Sequence, residues 1–155
     1  ASLQLDGKSW LDLPVFRAPK VAGGRSLQIK GTIRPSAPSG VIFAHGGSRA
    51  GYSVYLDEGQ LCFVACVSKK RTVVRSSIAI SGPASFDAKW NATGEMFLKV
   101  NGKLAGKAKP GIIHHEPGDS IQIGADLIQP VGNYTTPNNF SGIIENLTFK
   151  YPNGT

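Results

Sequence analysis

Apolar and polar residues alternate along most of the chain, and no segment carries apolar residues at the spacing of a helix. The segment 26–34 is the clearest case, since Leu27, Ile29 and Ile33 share one parity while polar side chains occupy the other. Such alternation is typical of an antiparallel strand with one face in the core. Turn-forming glycine and proline clusters separate about twelve such segments. The pattern predicts an all-β protein, a two-sheet antiparallel β-sandwich.

Two neighbouring segments predict a hairpin with a defined register. A two-residue loop at 58–59 joins them. With this loop, the apolar residues of one strand face apolar residues of the other, whereas a shift by one residue would destroy the match. The predicted pairs are Leu56–Leu61, Val54–Phe63 and Tyr52–Ala65.

A second hairpin is centred on Asn101-Gly102, a pair that favours a two-residue turn. That turn would place Val100, a predicted core residue, opposite the charged Lys103. A three-residue loop that includes Lys103 places Val100 opposite Leu104 instead, and the alternation favours this longer loop. The remaining pairs would be Leu98–Gly106 and Met96–Ala108, with Lys99, Lys107 and Lys109 on the solvent face.

The last strand changes parity along its length. Phe140 and Ile144 follow one parity, whereas Leu147 and Phe149 follow the other. An extra residue in one strand of a pair reverses parity without ending the strand. The sequence therefore predicts a β-bulge near 145–146.

The length and the net charge of the chain narrow the classes of function that it can have. The 155 residues fit a single domain, 1–155, and no apolar run approaches the ~20 residues that span a bilayer. Lys and Arg number 17 against 10 Asp and Glu, a net charge of +7. This excess favours polyanionic partners, although solubility alone would also explain it. Nucleic acid is disfavoured, because the basic residues are not interleaved with aromatics as in RNA-binding sheets.

Catalytic chemistry has few candidates, and the chain is predicted not to be an enzyme. Glycoside hydrolysis needs two carboxylates flanking one bond. The acidic pair at 57–58 falls on a hairpin tip, and Glu116 and Asp119 flank a Pro-Gly turn. Cys62 and Cys66 lie four residues apart in a strand, ~13 Å between Cα atoms, too far for a disulfide. Two buried free thiols are expected.

Several ordered motifs carry a resemblance to a known family. They are strand-and-turn segments that together cover roughly two thirds of the chain. Their order and spacing resemble the concanavalin A-like (laminin-G-like) jelly-roll β-sandwich, most closely the β-sandwich domain appended to some bacterial sulfatases. The resemblance implies an extracellular or periplasmic accessory domain that binds or braces beside a catalytic one. The motifs are Gly40–Gly47, Gly51–Leu61, Leu98–Lys103, Ile123–Asp126 with Pro130-Val131, and Phe140–Ile144.

The resemblance also implies a candidate calcium site, with no other cofactor required. Some laminin-G-like domains hold Ca²⁺ at the rim through an Asp, an Asn or second Asp, and backbone carbonyls. Asp126 and Asn133 bracket a loop suited to such oxygen ligation. Alternatively, Asp126 accepts backbone N–H bonds and fixes the loop 127–139.

Two functional hypotheses follow. The first is a non-catalytic, lectin-like carbohydrate-binding module for anionic or sulfated glycans, which needs aromatic and hydrogen-bonding side chains and cations. The second is a structural or interaction domain of a larger enzyme such as a sulfatase or glycosidase. Candidate ligand-binding residues for the first are Arg49, Tyr52, Trp90, Asn133 and Tyr134, and the surface for an anionic partner is Lys69, Lys70, Arg71, Arg75, Lys99, Lys107 and Lys109.

Overall fold

The computed structural model describes residues 2–14 and 22–150. Twelve β-strands and no helix run through these residues, so none of them forms a helix that could cross a membrane. The strands are β1 (Ser2–Asp6), β2 (Leu11–Leu13), β3 (Leu27–Pro35), β4 (Gly40–Gly46), β5 (Ala50–Asp57), β6 (Gln60–Val67), β7 (Lys70–Ala79), β8 (Ala84–Trp90), β9 (Met96–Val100), β10 (Lys103–Ala108), β11 (Ile121–Ile123) and β12 (Ser141–Lys150).

The strands form two six-stranded sheets whose ladders are antiparallel, which confirms the predicted β-sandwich. Sheet A has the order β1-β12-β3-β8-β9-β10, and sheet B has the order β2-β11-β4-β5-β6-β7. Fully buried Ile, Leu, Phe and Met side chains fill the space between the sheets. Sheet neighbours are often distant in sequence, so the two outer faces collect residues from across the chain.

The predicted register of the first hairpin is confirmed. β5 and β6 pair Leu56 with Leu61, and their other predicted pairs form as well. The inward residues of this hairpin all belong to the core between the sheets. The alternation in β3 is confirmed too, with Leu27, Ile29 and Ile33 at most 1% exposed.

The second hairpin departs from the prediction at its turn. Asn101-Gly102 forms a two-residue turn with φ angles of 51° and 80°, and Val100 pairs with Lys103. The predicted three-residue loop and the pair Val100–Leu104 are therefore wrong. A register shift between Leu104 and Gly106 then restores the predicted pairs nearer the strand ends, Leu98–Gly106 and Met96–Ala108. The preference of Asn-Gly for a two-residue turn determines the length of the loop. The bulge that follows returns the later residues of β10 to the predicted face of the sheet.

The predicted bulge in β12 is confirmed. The pairing with β3 shifts register between Glu145 and Thr148, and Asn146 has a φ of 54°. Ile144 before the bulge is buried, and Leu147 and Phe149 after it pack against the core. The bulge therefore allows the apolar side chains of both halves of the strand to point into the core.

The loop 124–140 covers the outer face of sheet B. Val131 is fully buried against Tyr55, Cys62 and Cys66 in a second, smaller apolar cluster. The Phe140 amide donates to the Gly124 carbonyl and so closes the loop at its base. The two cysteines are free and buried, as predicted, and burial raises the pKa of both thiols. Both faces of the β5–β6 hairpin are thus packed against protein.

Candidate functional site

Positively charged side chains gather on the outer face of sheet A, the face turned away from the core. Each of five neighbouring strands contributes one lysine to this face. The alternation of each strand turns its lysine outward, because the described residues next to it in the strand pack inward. The lysines, in strand order from β12 to β10, are Lys150, Lys30, Lys89, Lys99 and Lys107.

Two adjoining depressions run along this face. The first has a volume of about 440 Å³, and Lys30, Lys99 and Lys150 are among its lining residues. The second, of about 290 Å³, includes Lys89 and Lys99. Asp87 and Lys99 line both depressions, which makes them one continuous feature. We call it, together with the adjacent Lys107, the lysine groove.

The lysines of the groove form no ion pair with a carboxylate of the described residues, which leaves them available to an incoming ligand. In residues 2–14 and 22–150, ion pairs join Arg34 to Glu145 and Arg75 to Asp57, and none involves a groove lysine. The carboxylate inside the groove is that of Asp87, whose Oδ1 accepts a 2.9 Å hydrogen bond from Gln28 Nε2. Five lysines against one carboxylate give a strongly positive surface, which attracts anions.

An aromatic ring and an aliphatic side chain complete the groove. Phe97 is half-buried and lies opposite Lys107 and Lys89 in the ladders of β9. Leu104 is 56% exposed, because the two-residue turn and the following bulge place it opposite Lys99 on the outer face. Sequence reasoning did not identify either residue as part of a site. Phe97 has the same parity in β9 as Lys99, which the alternation assigned to the solvent face. The same alternation could therefore have identified Phe97 as an outward residue.

The surface predicted for an anionic partner is divided between two regions. Lys99 and Lys107 lie in the lysine groove, and Lys109 is exposed just beyond β10. The other members belong to sheet B: Lys69 lies in the β6–β7 turn, and Lys70 begins β7. β7 and β9 belong to different sheets, although β7 packs against β10 at the edge of the sandwich. That all seven residues bind one anionic partner stays a prediction. The predicted surface also omitted Lys30, Lys89 and Lys150.

The side chains of Arg71 and Arg75 both form contacts on the outer side of sheet B. The Arg71 guanidinium donates from Nε to the Val131 carbonyl at 2.8 Å and so holds down the covering loop. Arg75 donates from Nε to Gln60 Oε1 at 2.6 Å and forms an ion pair with Asp57 at 2.7 Å. These contacts give both arginines a structural role.

Two of the predicted aromatic ligand-binding residues are core residues. Tyr52 is fully buried and its hydroxyl lies 2.8 Å from His45 Nδ1, while Trp90 is 4% exposed and donates from Nε1 to the Gly111 carbonyl. Their rings meet at a centroid distance of 6.3 Å between the sheets. Neither ring can present a face to a sugar, so both are removed from the candidate site.

Tyr134, Asp126 and Asn133 belong to the loop that covers sheet B. The Tyr134 hydroxyl donates to Asp126 Oδ2 at 2.5 Å, and its ring packs edge-on against Tyr55. The Val131 amide donates to the same oxygen at 3.0 Å. Burial raises the pKa of the Asp126 carboxyl. These contacts match the alternative interpretation of Asp126 as the residue that fixes the loop.

Calcium ligation at Asp126 and Asn133 stays a prediction. Asn133 is exposed, whereas Asp126 is 1% exposed and already accepts two hydrogen bonds through Oδ2. Among the described residues, no group of three or more His, Cys, Asp or Glu side chains is placed to hold a metal ion. An ion at this position would therefore depend on amide and carbonyl oxygens for most of its ligands.

Arg49 lies apart from the lysine groove, at the end of sheet B. It is exposed and lines a rim depression of about 370 Å³ with His115 and Gln129. Its backbone carbonyl accepts the Lys69 amide at 3.1 Å. The structure thus places the predicted ligand-binding residues in three separate regions: the core, the covering loop and this rim.

His45 lies beneath the rim and is expected to make stability depend on pH. It is 1% exposed, and its buried Nε2 has no hydrogen-bond partner among residues 2–14 and 22–150. Burial lowers its pKa from 6.5, and the charges of Asp119 and Glu116 offset part of that shift. Below pH 6.5 the unfolded chain binds a proton at this position that the folded chain does not, so the free energy of unfolding should fall as pH falls.

Urea denaturation at a series of pH values on both sides of 6.5 measures this effect. His45→Gln, which cannot titrate, serves as the comparison. The fall in stability through this window should be shallower in the variant than in the parent. Equal pH dependence in the two proteins would contradict a lowered His45 pKa.

No model of a known protein family matches the sequence, and no curated protein matches it either. Solved structures do share its fold. Domains LG4-5 of the mouse laminin alpha1 chain align with a TM-score of 0.74 and 18% identity over 97% of this chain. This chain spans 42% of that laminin fragment, well under two thirds of its length.

Two binding domains are also similar in structure. CBM40 of the Ruminococcus gnavus IT-sialidase, bound to alpha2,3 sialyllactose, aligns with a TM-score of 0.70 and 12% identity, over 96% of this chain and 88% of the other. The Botulinum neurotoxin serotype D binding domain gives a TM-score of 0.67 and 11% identity, over 96% and 38%. At these identities the likeness shows the fold alone, a concanavalin A-like β-sandwich. The link to sulfatase-associated domains stays a prediction.

Proposed function

We propose that this protein is a non-catalytic carbohydrate-binding module for anionic glycans and that the lysine groove is its binding site. The observation that carries the proposal is the gathering of five lysines around one carboxylate on an open sheet face. Sulfate and carboxylate groups pair with lysine, and the half-buried Phe97 side chain, which lines the groove, can contact the C–H face of a sugar ring. The CBM40 structure bound to sialyllactose supports the fold's suitability for an anionic sugar.

The acidic residues support a non-catalytic role, because three of the four candidate carboxylates hold parts of the fold together. Asp57 pairs with Arg75 at 2.7 Å. Asp119 accepts the Gly46 amide at 2.9 Å, and Glu116 accepts the Ala22 amide at 2.8 Å. Glu116 and Asp119 line the same rim depression, but both already accept backbone amides that fix the surrounding loops, which supports a structural role for them. A binding module of this kind is predicted to act in an extracellular or periplasmic setting.

Isothermal titration with heparin, hyaluronan and uncharged dextran tests the proposal, with calcium and again with chelator. Heparin and hyaluronan should bind and dextran should not, because lysine provides affinity only for charged groups. Loss of binding in chelator would support calcium at Asp126 and Asn133, and unchanged binding would argue against it. No binding to either anionic glycan at low salt would overturn the proposal.

The alternative is an accessory module that packs on a neighbouring enzyme domain. An apolar depression of about 410 Å³ supports it, lying between the β1 and β2 sides of the two sheets. Leu3, Leu13 and Ile144 are among its lining residues, and Leu11 beside them is 50% exposed. Apolar surface of this kind is suited to a protein partner. If the anionic glycans fail to bind, this alternative becomes the stronger one.

A further inference from the structure

We propose that the lysine groove holds a linear polyanion that crosses the strands of sheet A and is bound along its length. One anionic group of the ligand would lie near the lysine of each strand. This inference rests on the proposed glycan-binding function, and it specifies which glycans: extended chains with repeated charges, bound internally and not by an end.

The register of sheet A places the lysines in a regular zigzag. Lys89 pairs across the sheet with Gln28 and Phe97, whereas Lys30 and Lys99 both pair with Asp87. Successive lysines therefore alternate between two neighbouring rows of the sheet. Diagonal neighbours of this kind lie about 8 Å apart. The outermost lysines repeat the pattern at β12 and β10, where Lys150 pairs with Gln28 and Lys107 with Phe97.

The zigzag runs perpendicular to the strands. Five strands spaced ~4.8 Å apart give it a span of about 19 Å. Along β3, β8, β9 or β12 the outer face carries one groove lysine. On β3, for example, Thr32 follows Lys30 on the outer face, and the next cation, Arg34, is paired with Glu145 at 2.6 Å. A polyanion parallel to β3, β8, β9 or β12 would meet one groove lysine, and one parallel to β10 would meet Lys107 and then the exposed Lys109, whereas one that crosses the strands would meet all five groove lysines.

Asp87 and Phe97 favour a glycan over a polymer with uninterrupted charge. Asp87 lies between Lys30 and Lys99 in the register, where its carboxylate repels an anion but can accept a hydrogen bond from a hydroxyl. Phe97 lies between Lys89 and Lys107 and offers apolar contact. A chain that alternates charges with hydroxyls and C–H surface satisfies both residues. Polyphosphate has no hydroxyl or C–H group to match them.

Heparin-derived oligosaccharides of increasing length, titrated against the parent protein, test the crossing. Affinity should rise with length until the ligand spans the groove. The end variants Lys150→Ala and Lys107→Ala should each leave the shortest binding oligosaccharide nearly unaffected, because it can occupy the remaining lysines. The same variants should weaken the longest oligosaccharide by about three- to tenfold each, and Lys89→Ala at the centre should weaken both lengths.

The outcomes separate the inference from the function on which it rests. If no oligosaccharide binds, the proposed function itself fails. If they bind but the end variants affect short and long ligands equally, the glycan-binding function stands and the crossing mode is wrong. Sodium polyphosphate of matched length is the comparison polymer. Equal or tighter binding of polyphosphate would overturn the roles of Asp87 and Phe97.

Discussion

Replacing Lys30 and Lys99 together with glutamate should reduce heparin affinity by at least about 100-fold. The two residues lie on either side of Asp87 at the centre of the groove. The change removes two cations and adds two anions beside an existing carboxylate, which reverses the central potential. Loss of one charge-assisted contact costs ~1.5 kcal/mol or more, and the repulsion adds to it. Titration at fixed low salt measures the effect, and circular dichroism checks the fold.

The double variant Lys69→Glu/Lys70→Glu is the matched control. It changes the net charge equally, but its two positions are exposed at the β6–β7 turn, in sheet B. If the groove is the binding site, this control should lower the affinity only about two- to threefold, through the weaker long-range field. Equal losses in the two variants would show that net charge and not the groove decides binding.

Replacing Asp126 with alanine should lower the free energy of unfolding by about 3 kcal/mol. The carboxylate is 1% exposed and accepts hydrogen bonds from the Val131 amide and the Tyr134 hydroxyl. Alanine leaves a buried backbone N–H without an acceptor, and a buried donor left unsatisfied is costly. The loop over Cys62 and Cys66 would lose its anchor. Urea denaturation measures the loss, and faster thiol labelling would show the loop opening.

Asp126→Asn is the conservative comparison. Its side-chain carbonyl can still accept the Val131 amide, so the loss should be nearer 1 kcal/mol. A loss below about 0.5 kcal/mol in Asp126→Ala would contradict the anchoring role. The lysine groove lies on the opposite sheet, so heparin binding should survive in both variants.

Local patterns were sufficient for the strands. The register of β5 and β6 followed from alternation, because a shift by one residue would have exposed the core side chains. The bulge in β12 followed from a parity change in the same way. The β9–β10 turn was mispredicted, because two local rules conflicted there and sequence spacing cannot show that a bulge at 104–106 satisfies both.

The sites were less accessible to sequence reasoning. Tyr52 and Trp90 look like ligand-binding aromatics in one dimension, yet the sandwich buries both rings. The cationic cluster at Lys69–Arg71 was conspicuous in the sequence but belongs to sheet B and its adjoining turn, and it does not line the two depressions of the groove. No local sequence pattern marks the groove lysines as a site, since each is a single outward residue of its strand. They are Lys30, Lys89, Lys99, Lys107 and Lys150.

The sequence by itself determined the fold class, the outward orientation of Lys30, Lys99 and Lys107, and the burial of both cysteines. These are local properties, because alternation assigns each side chain to one face of its strand. The tertiary structure alone decided which outward residues are neighbours. The sheet order β12-β3-β8-β9-β10 brings together lysines up to 120 positions apart. Strand order depends on long-range packing of the core, which local alternation does not encode.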